Sequence, residues 1–437
     1  MRGAPPQSLR HGVVLQQVIQ RAEVHTFAHP PRMDPHVRPA IGGGLSGRIR
    51  ARMEWQSKML KRKGWILLLA AIVALALAAW LTPKVLRRLD MQGLRPVTVA
   101  KGLEHPWAIA FLPDGRMLVT ERPGRMRIVT ANGVLSEPLV GLLPVASGDE
   151  GGLLDVVLDP GFPANRTIYW SFSEPSGSSP QARSTAVARG RLIDDRIADA
   201  RVIFRQPVKS EDGSHFGSRL AFARDGSLFV GLGDRGARPD AQDVASAHGK
   251  ILRMDVQGNA LPDNPLASTP SALQQVWSWG HRNVQGMAFH PETGELRTTD
   301  HGPQGGDELN VIDRGKNYGW PTITYGTEYA DSAKIGEGTA KSGMEQPVTW
   351  WGPISIAPSG MAFLTSDRYP GWKGQMFIGN LRGRALLRVK LEGRRVVEQQ
   401  RLVTGLLERI RDVRQGPDGW LYVVTNSPEG RIIRIER

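Results

Sequence analysis

The sequence predicts an all-β fold, a six-bladed β-propeller, preceded by a disordered leader and one hydrophobic signal or anchor helix. Three observations carry this reading. The 437-residue chain is rich in Gly (50) and Pro (31), carries 12 Trp, and shows few strongly helical windows after residue 90. That composition suits many short strands joined by tight turns. A single phrase then recurs six times: an apolar strand, a turn with Asp, Pro or Gly, and a second apolar strand. The copies stand 47 to 74 residues apart, which leaves room for about four strands per copy.

The leader comes first. Residues 1–52 are rich in Arg, Pro, Gly and His and keep no sustained period, as expected of a disordered or untranslated segment. Residues 53–90 read as a signal peptide or membrane anchor. "KMLKRKG" supplies positive charge, and "WILLLAAIVALALAAWL" (65–81) is an unbroken apolar run of 17 residues. As a helix it reaches roughly 25 Å, the short edge of a membrane span. Positive charge ahead of it places the body outside the cytoplasm, in the periplasm or beyond, either secreted or anchored through residues 65–81. The charge distribution agrees. Residues 1–90 hold 15 Lys/Arg against 4 Asp/Glu, whereas the remainder holds 41 against 38. The overall +14 belongs to the leader, so nucleic acid is not an expected partner of the body. Cys is absent, which excludes disulfides, thiolate metal sites and a Cys nucleophile.

Residues 91–437 form the expected propeller domain. Its hairpins start at Ala108 ("AIAFLPDGRMLVTER"), Asp155, Arg219 ("RLAFARDGSLFVGLGD"), Gly286, Gly360 and Asp412 ("DVRQGPDGWLYVVTNS"). Each alternates apolar and polar residues around its turn. A propeller gathers the loops that enter its inner strands at one mouth of a central channel. Those loops carry Glu150, His215, Arg282, Asn283, Arg409 and Arg411, and Arg382 in "GNLRGR" joins them from the end of a following strand. Several guanidiniums around one cavity fit a polyanionic small molecule, because they stay charged and pair bidentately with carboxylates. They fit equally a ring of Arg salt-bridged to Asp of other blades. A second cluster, "TDHGPQGGDELNVIDRGKNYGWP", sets acidic residues among glycines. It reads either as a hard-cation site or as acidic turn caps. No Walker motif, helix-linked GxGxxG or GxSxG is present.

Four motifs in order, "HFGSRLAF…GLGDRG", "GHRNVQGMAF", "DHGPQGGDELN…GKNYGWP" and "RIRDV", resemble the glucose/sorbosone dehydrogenase family, and in it the aldose sugar dehydrogenases that use pyrroloquinoline quinone (PQQ). The resemblance covers roughly residues 95–437. It implies PQQ and Ca²⁺ at the channel mouth, an aldose substrate oxidised to a lactone, hydride transfer to the quinone, and an external electron acceptor. By motif, His215 is similar to the family's catalytic base. Arg282 and Asn283 match the pair at the quinone, with Arg282 stabilising developing charge. Arg382 stands where the family has a basic PQQ ligand, and Arg409 and Arg411 match arginines that hold PQQ carboxylates. Gly302 and Pro303 match carbonyl ligands of the cofactor Ca²⁺, and Glu308 and Tyr318 a structural Ca²⁺ site. Tyr329 is expected to line the pocket. Glu150 departs from the family, whose members usually carry Gln there, and brings an acid beside the expected tricarboxylate. Asp212 is the nearby candidate for orienting the His215 ring. Two rivals share the architecture: a Ca²⁺-dependent lactonase-type hydrolase and a non-enzymatic binding propeller. The first relies on Glu, Asn and Asp at a metal, the second on exposed aromatics at the mouth.

Overall fold

The computed structural model describes residues 93–437, apart from 178 and 180, together with residues 55, 59 and 70–73. Two compact units are distinguished, Met1–Trp80 and Leu81–Arg437. The expected leader (1–52) lies outside the described residues, as does the expected signal or anchor segment apart from residues 55, 59 and 70–73. Residues 70–73 are helical. Among the described residues no helix is long and apolar enough to cross a membrane.

The second unit is a six-bladed β-propeller. Among the described residues, twenty-three strands form six antiparallel sheets, five of four strands and one of three. The innermost strands are β2 (Pro106–Phe111), β5 (Leu153–Leu158), β9 (Gly217–Phe222), β13 (Val284–Phe289), β17 (Pro358–Phe363) and β21 (Ile410–Gln415). All six hairpins of the sequence reading therefore begin on an innermost strand. Ring closure joins the two ends of the fold. Strand β1 (Arg95–Leu103) pairs antiparallel with the last strand, β23 (Gly430–Glu436), completing the sixth blade.

One blade departs from the expected four strands. The first holds only β2, β3 (Met117–Glu121) and β4 (Arg125–Val129). Residues 135–139 run beside β4 without becoming a strand: Ser136 N–H donates to Ile128 O and Leu139 N–H to Met126 O, both at 2.8 Å. Pro138 lies between these two donors, and its missing N–H interrupts the ladder.

The core is divided between neighbouring blades, as the geometry of radial sheets requires. One cluster joins Trp107, Leu118 and Met126 of the first blade to Trp170, Phe172 and Ala188 of the second. Another joins Phe377 and Leu386 of the fifth to Val413 and Ile433 of the sixth. Each inner strand is buried on both faces through its first residues, because its neighbours are other inner strands.

Each inner strand also carries one extra residue against its partner, near its start. Trp107, Gln285 and Arg411 are the extra residues of β2, β13 and β21. Strands β5, β9 and β17 each gain one within 154–155, 218–219 and 359–360. Such bulges bend a strand and re-aim a side chain. Here they turn side chains toward the channel at one end.

Candidate active site

That end of the channel holds a cavity of about 390 Å³, lined in part by the bulge residues Trp107, Gln285 and Arg411 and by Leu154. Glu150, Asn283 and Arg409 also line it, so the sequence reading brought four of its candidates to one cavity. Arg122, Asp149, His301 and Asn426 complete the polar wall and were not anticipated. The reason is topological. Arg122, His301 and Asn426 sit on loops between the second and third strands of their blades, after β3, β14 (Leu296–Asp300) and β22 (Leu421–Thr425). These loops reach the same mouth as the loops entering the inner strands.

His215 stands at the rim. Its neighbours Phe216 and Gly217 line the cavity, and its side chain is 16% exposed. Its backbone is left-handed (φ 53°), an uncommon state for a residue with a side chain. Two contacts hold it there. The His215 N–H donates to a Glu150 carboxylate oxygen at 2.8 Å. Its carbonyl lies against Gly233, where a Cβ would fall 1.9 Å from the oxygen, so only glycine fits. The middle glycine of "GLGDRG", Gly233, thus seats a histidine backbone rather than a phosphate.

The ring is oriented by Asp234, not by Asp212. His215 Nδ1 lies 2.6 Å from Asp234 Oδ1. Asp234 is fully buried, and its other oxygen accepts from Trp320 Nε1 at 2.7 Å. Burial opposes ionisation of Asp234, but the His215 hydrogen bond, the Gly236 N–H and Arg282 outweigh it and hold the carboxyl below its usual range. Asp212 instead accepts from Ser214 N–H and Oγ, and so shapes the loop. With Nδ1–H donated to a carboxylate, Nε2 is left as the basic nitrogen.

The cavity's electrostatics are dominated by three guanidiniums. Arg411 is 8% exposed, and burial followed by repulsion from Arg122 pushes its pKa down to about 9. Burial also lowers Arg122 and Arg409, and Arg384 and Arg122 add repulsion at Arg409. Arg411 gives one bond to Gln285 Oε1 at 2.8 Å, and Arg122 one to Asp149 O at 2.6 Å. The Nε atoms of Arg122, Arg411 and Arg282 are buried with no partner among the described residues. Crowded, desolvated cations with unmade bonds are costly unless an anion joins them. The two carboxylates present offset this only in part: Glu150 favours all three cations and Asp149, itself paired with Arg183 at 2.5 Å, favours Arg122, yet burial leaves each below its usual value.

The alternative reading of the arginines, a ring of interblade salt bridges, is also present, one layer deeper and on other residues. Arg219 contacts Asp155 at 3.2 Å and Asp412 at 3.0 Å, and Arg414 contacts both at 2.9 Å. This quartet ties blades two, three and six beneath the cavity floor.

Three candidates stand apart. Arg382 is exposed, and only its neighbour Leu381 lines the cavity. Tyr329 is 62% exposed and outside the cavity wall. Arg282 lines a second, smaller void and lies over Trp320 at 5.4 Å. Asp300 fixes this segment by accepting from Arg282 N–H (3.1 Å) and Asn283 N–H (2.5 Å).

The smaller void has room for about one water-sized particle and is lined by Asp300, Gly302, Glu308 and Tyr318 as well as Arg282. Pro303 is not part of it. Burial, then Asp300, pushes the Glu308 carboxyl up to about 8. A carboxylate pair and backbone oxygens suit a hard cation by donor type. The Tyr318 hydroxyl is engaged elsewhere, donating to Val311 O and accepting from Asp313 N–H. Among the described residues, no three acidic or imidazole side chains converge as a metal cluster.

Comparison with known proteins agrees with this geometry. The sequence profile described as glucose / sorbosone dehydrogenase matches residues 103–434. Aldose sugar dehydrogenase YliI of Escherichia coli is 43% identical over 372 residues, covering 84% of this chain and 97% of that one. The crystal structure of the soluble aldose sugar dehydrogenase from Escherichia coli, in its apo form, is 42% identical with a TM-score of 0.76, covering 78% of this chain and 99% of the other. The PQQ-bound aldose sugar dehydrogenase of Streptomyces coelicolor is 30% identical with a TM-score of 0.63, covering 78% and 98%. Unpaired guanidiniums around a cavity, beside a carboxylate-oriented histidine on a six-bladed propeller, fit that company: the chain belongs to the glucose/sorbosone dehydrogenase family.

Proposed function

We propose that the protein oxidises aldose sugars at the anomeric carbon to lactones, with PQQ in the arginine-lined cavity. The observation that carries this is the set of three desolvated guanidiniums, two with unpartnered Nε atoms, around a cavity of about 390 Å³. Arg409 and Arg411 would hold cofactor carboxylates, with Arg122 as a third cation. When bound, PQQ supplies a quinone that accepts two electrons as hydride. Asn283 and Gln285 offer amide groups on the same wall.

The protein's part in the chemistry is proton transfer and field. His215 Nε2 accepts the proton of the anomeric hydroxyl. Asp234 fixes the tautomer and stabilises the imidazolium that forms. Trp320 keeps that carboxylate from turning. His301 stays neutral at the cavity wall: burial, then Arg411, pushes its pKa down to about 3, and its Nε2–H donates to Pro358 O at 2.7 Å. A neutral donor-satisfied imidazole adds no competing base. Glu308, Asp300 and the Gly302 segment would take Ca²⁺ by the chemistry of their oxygens. The apolar run at residues 65–81, behind a basic stretch, supports export of the body, and a reporter fused after residue 90 tests it.

The test is reconstitution of the full chain with PQQ and Ca²⁺, followed by dye reduction with several aldoses. Saturable reduction that needs both cofactor and sugar is expected. Binding of PQQ without sugar oxidation would overturn the proposed activity.

A further inference from the structure

The mouth of the cavity is not electrostatically uniform. On one side the arginines are engaged: Arg183 pairs with Asp149 at 2.5 Å, Arg238 pairs with Glu328 at 2.5 and 3.0 Å, and Arg235 and Arg282, both buried, bond to backbone carbonyls. On the side formed by blades five and six, Arg382, Arg384 and Arg409 have no carboxylate partner among the described residues. Arg382 and Arg384 are exposed on the loop between β18 (Met376–Asn380) and β19 (Ala385–Glu392). Arg382 makes no side-chain hydrogen bond or ion pair among the described residues, and neither does Arg409. Arg384 gives only one bond, to Leu407 O at 3.4 Å. The neighbouring carboxylate, Glu408, is taken by Arg431.

This sector is also apolar. Leu407 is 65% exposed and Ile354 is 69% exposed. The parts form one surface. Arg382 N–H and Gly383 N–H both donate to Ile356 O, at 3.1 and 3.0 Å, and Arg384 reaches Leu407. It is continuous with the cavity, because Ala357, Leu381 and Arg409 belong to the cavity wall. Exposed aliphatics between unpaired cations make a surface that attracts an acidic partner and then has dry area to hold it.

We infer that this sector of blades five and six is the docking surface for an acidic electron-carrier protein. The inference rests on the dehydrogenase reading. Each aldose oxidised to a lactone gives up two electrons and two protons. The protons leave to solvent through the open mouth. The electrons pass to the acidic carrier, in two dockings when the carrier takes one electron at a time. A small dye reaches the cavity without using this surface, so the two acceptors are separable.

The experiment uses the reconstituted full-length enzyme at saturating glucose with three acceptors: a small dye, an acidic c-type cytochrome and a basic c-type cytochrome. The acidic cytochrome is expected to be reduced faster than the basic one at low salt. Its rate should fall roughly tenfold as salt approaches several hundred millimolar, while the dye rate holds. Arg384→Glu combined with Leu407→Asp should raise KM for the acidic cytochrome roughly tenfold and leave dye kcat within about twofold, which also shows that the variant folds. Equal reduction of both cytochromes, or no response to salt and to the double variant, overturns the inference while leaving the dehydrogenase reading standing. Loss of dye reduction in the unmutated enzyme overturns the dehydrogenase reading and this inference together.

Discussion

The two ends of the central channel are built from the same six strands and hold cavities of nearly equal size, about 390 and 410 Å³, yet their chemistry is opposite. At the upper end, bulges bring Trp107, Gln285 and Arg411 inward beside unpaired guanidiniums. At the lower end the strands run in regular register, and Phe111, Phe222, Phe289 and Phe363 help line an apolar hollow. Between the two lies the quartet Asp155, Arg219, Asp412 and Arg414. The difference teaches that position along a propeller strand, more than residue type, decides whether an arginine works or merely holds. Arg411 and Arg414 are three residues apart on one strand. The first has a single bond to an amide and a pKa pushed down by burial to about 9; for the second, burial is outweighed by two bound carboxylates, which raise it well above its usual value.

The sharpest break in this comparison comes from removing the base at the upper end. His215→Ala should cut kcat by roughly 10²–10⁴ while PQQ still binds, as steady-state kinetics beside a cofactor titration would show. A variant with near-normal turnover would remove His215 from the chemistry. Next comes the layer between the cavities. Arg219→Leu strips one cation from two buried carboxylates and should cost about 3–5 kcal/mol of stability, read by urea unfolding. An unchanged midpoint would mean that Arg414 alone neutralises both acids. At the lower end, Phe222→Ala removes a half-buried ring packed edge-to-face on Tyr169 at 5.1 Å. It should lose about 1–2 kcal/mol and leave sugar oxidation within about twofold, because that end takes no part in the reaction.

The last expected effect, nil at neutral pH and growing only on acidification, is a pH dependence. His301 has a folded pKa of about 3, below the ordinary imidazole value near 6.5. Between these values the unfolded chain binds a proton that the folded chain does not. The stability contribution is therefore complete above about pH 6.5 and is lost as pH falls toward 3. His301→Gln, which can still donate to Pro358 O, should flatten that acid slope. A slope identical to the wild type would assign it to other groups.

Much of this molecule was legible in its sequence, and the limits are physical. The six hairpins were visible because each is a local pattern of alternation around a turn, and all six fell on innermost strands. Glu150, Asn283, Arg409 and Arg411 were found because they precede or open those strands. Asp234 was missed although it lies in "GLGDRG", a motif that was noticed. Its partner is 19 residues away, and only the pairing of β9 with β10 (Leu228–Leu232) brings them together. The bulges carry no signal at all, since one extra residue in a strand is defined only against its partner. Arg122 and Asn426 were missed because the loops between second and third strands of their blades were not counted as reaching the mouth, although the corresponding loop of the fifth blade, which carries Arg382, was. Tyr329 and Arg382 show the converse: motif proximity put them at the pocket, and exposure puts them outside its wall.

The central claim is that the upper cavity is a polyanion site whose arginines await carboxylates. It is tested most directly by titrating PQQ into the full chain and into Arg411→Ala, following visible absorbance in the absence of sugar. The account predicts saturable binding by the wild type and an affinity lower by about 10- to 100-fold in the variant, the loss expected for one charge-assisted contact. Equal affinity in the two proteins would contradict it and leave Arg411 as a structural cation like Arg414.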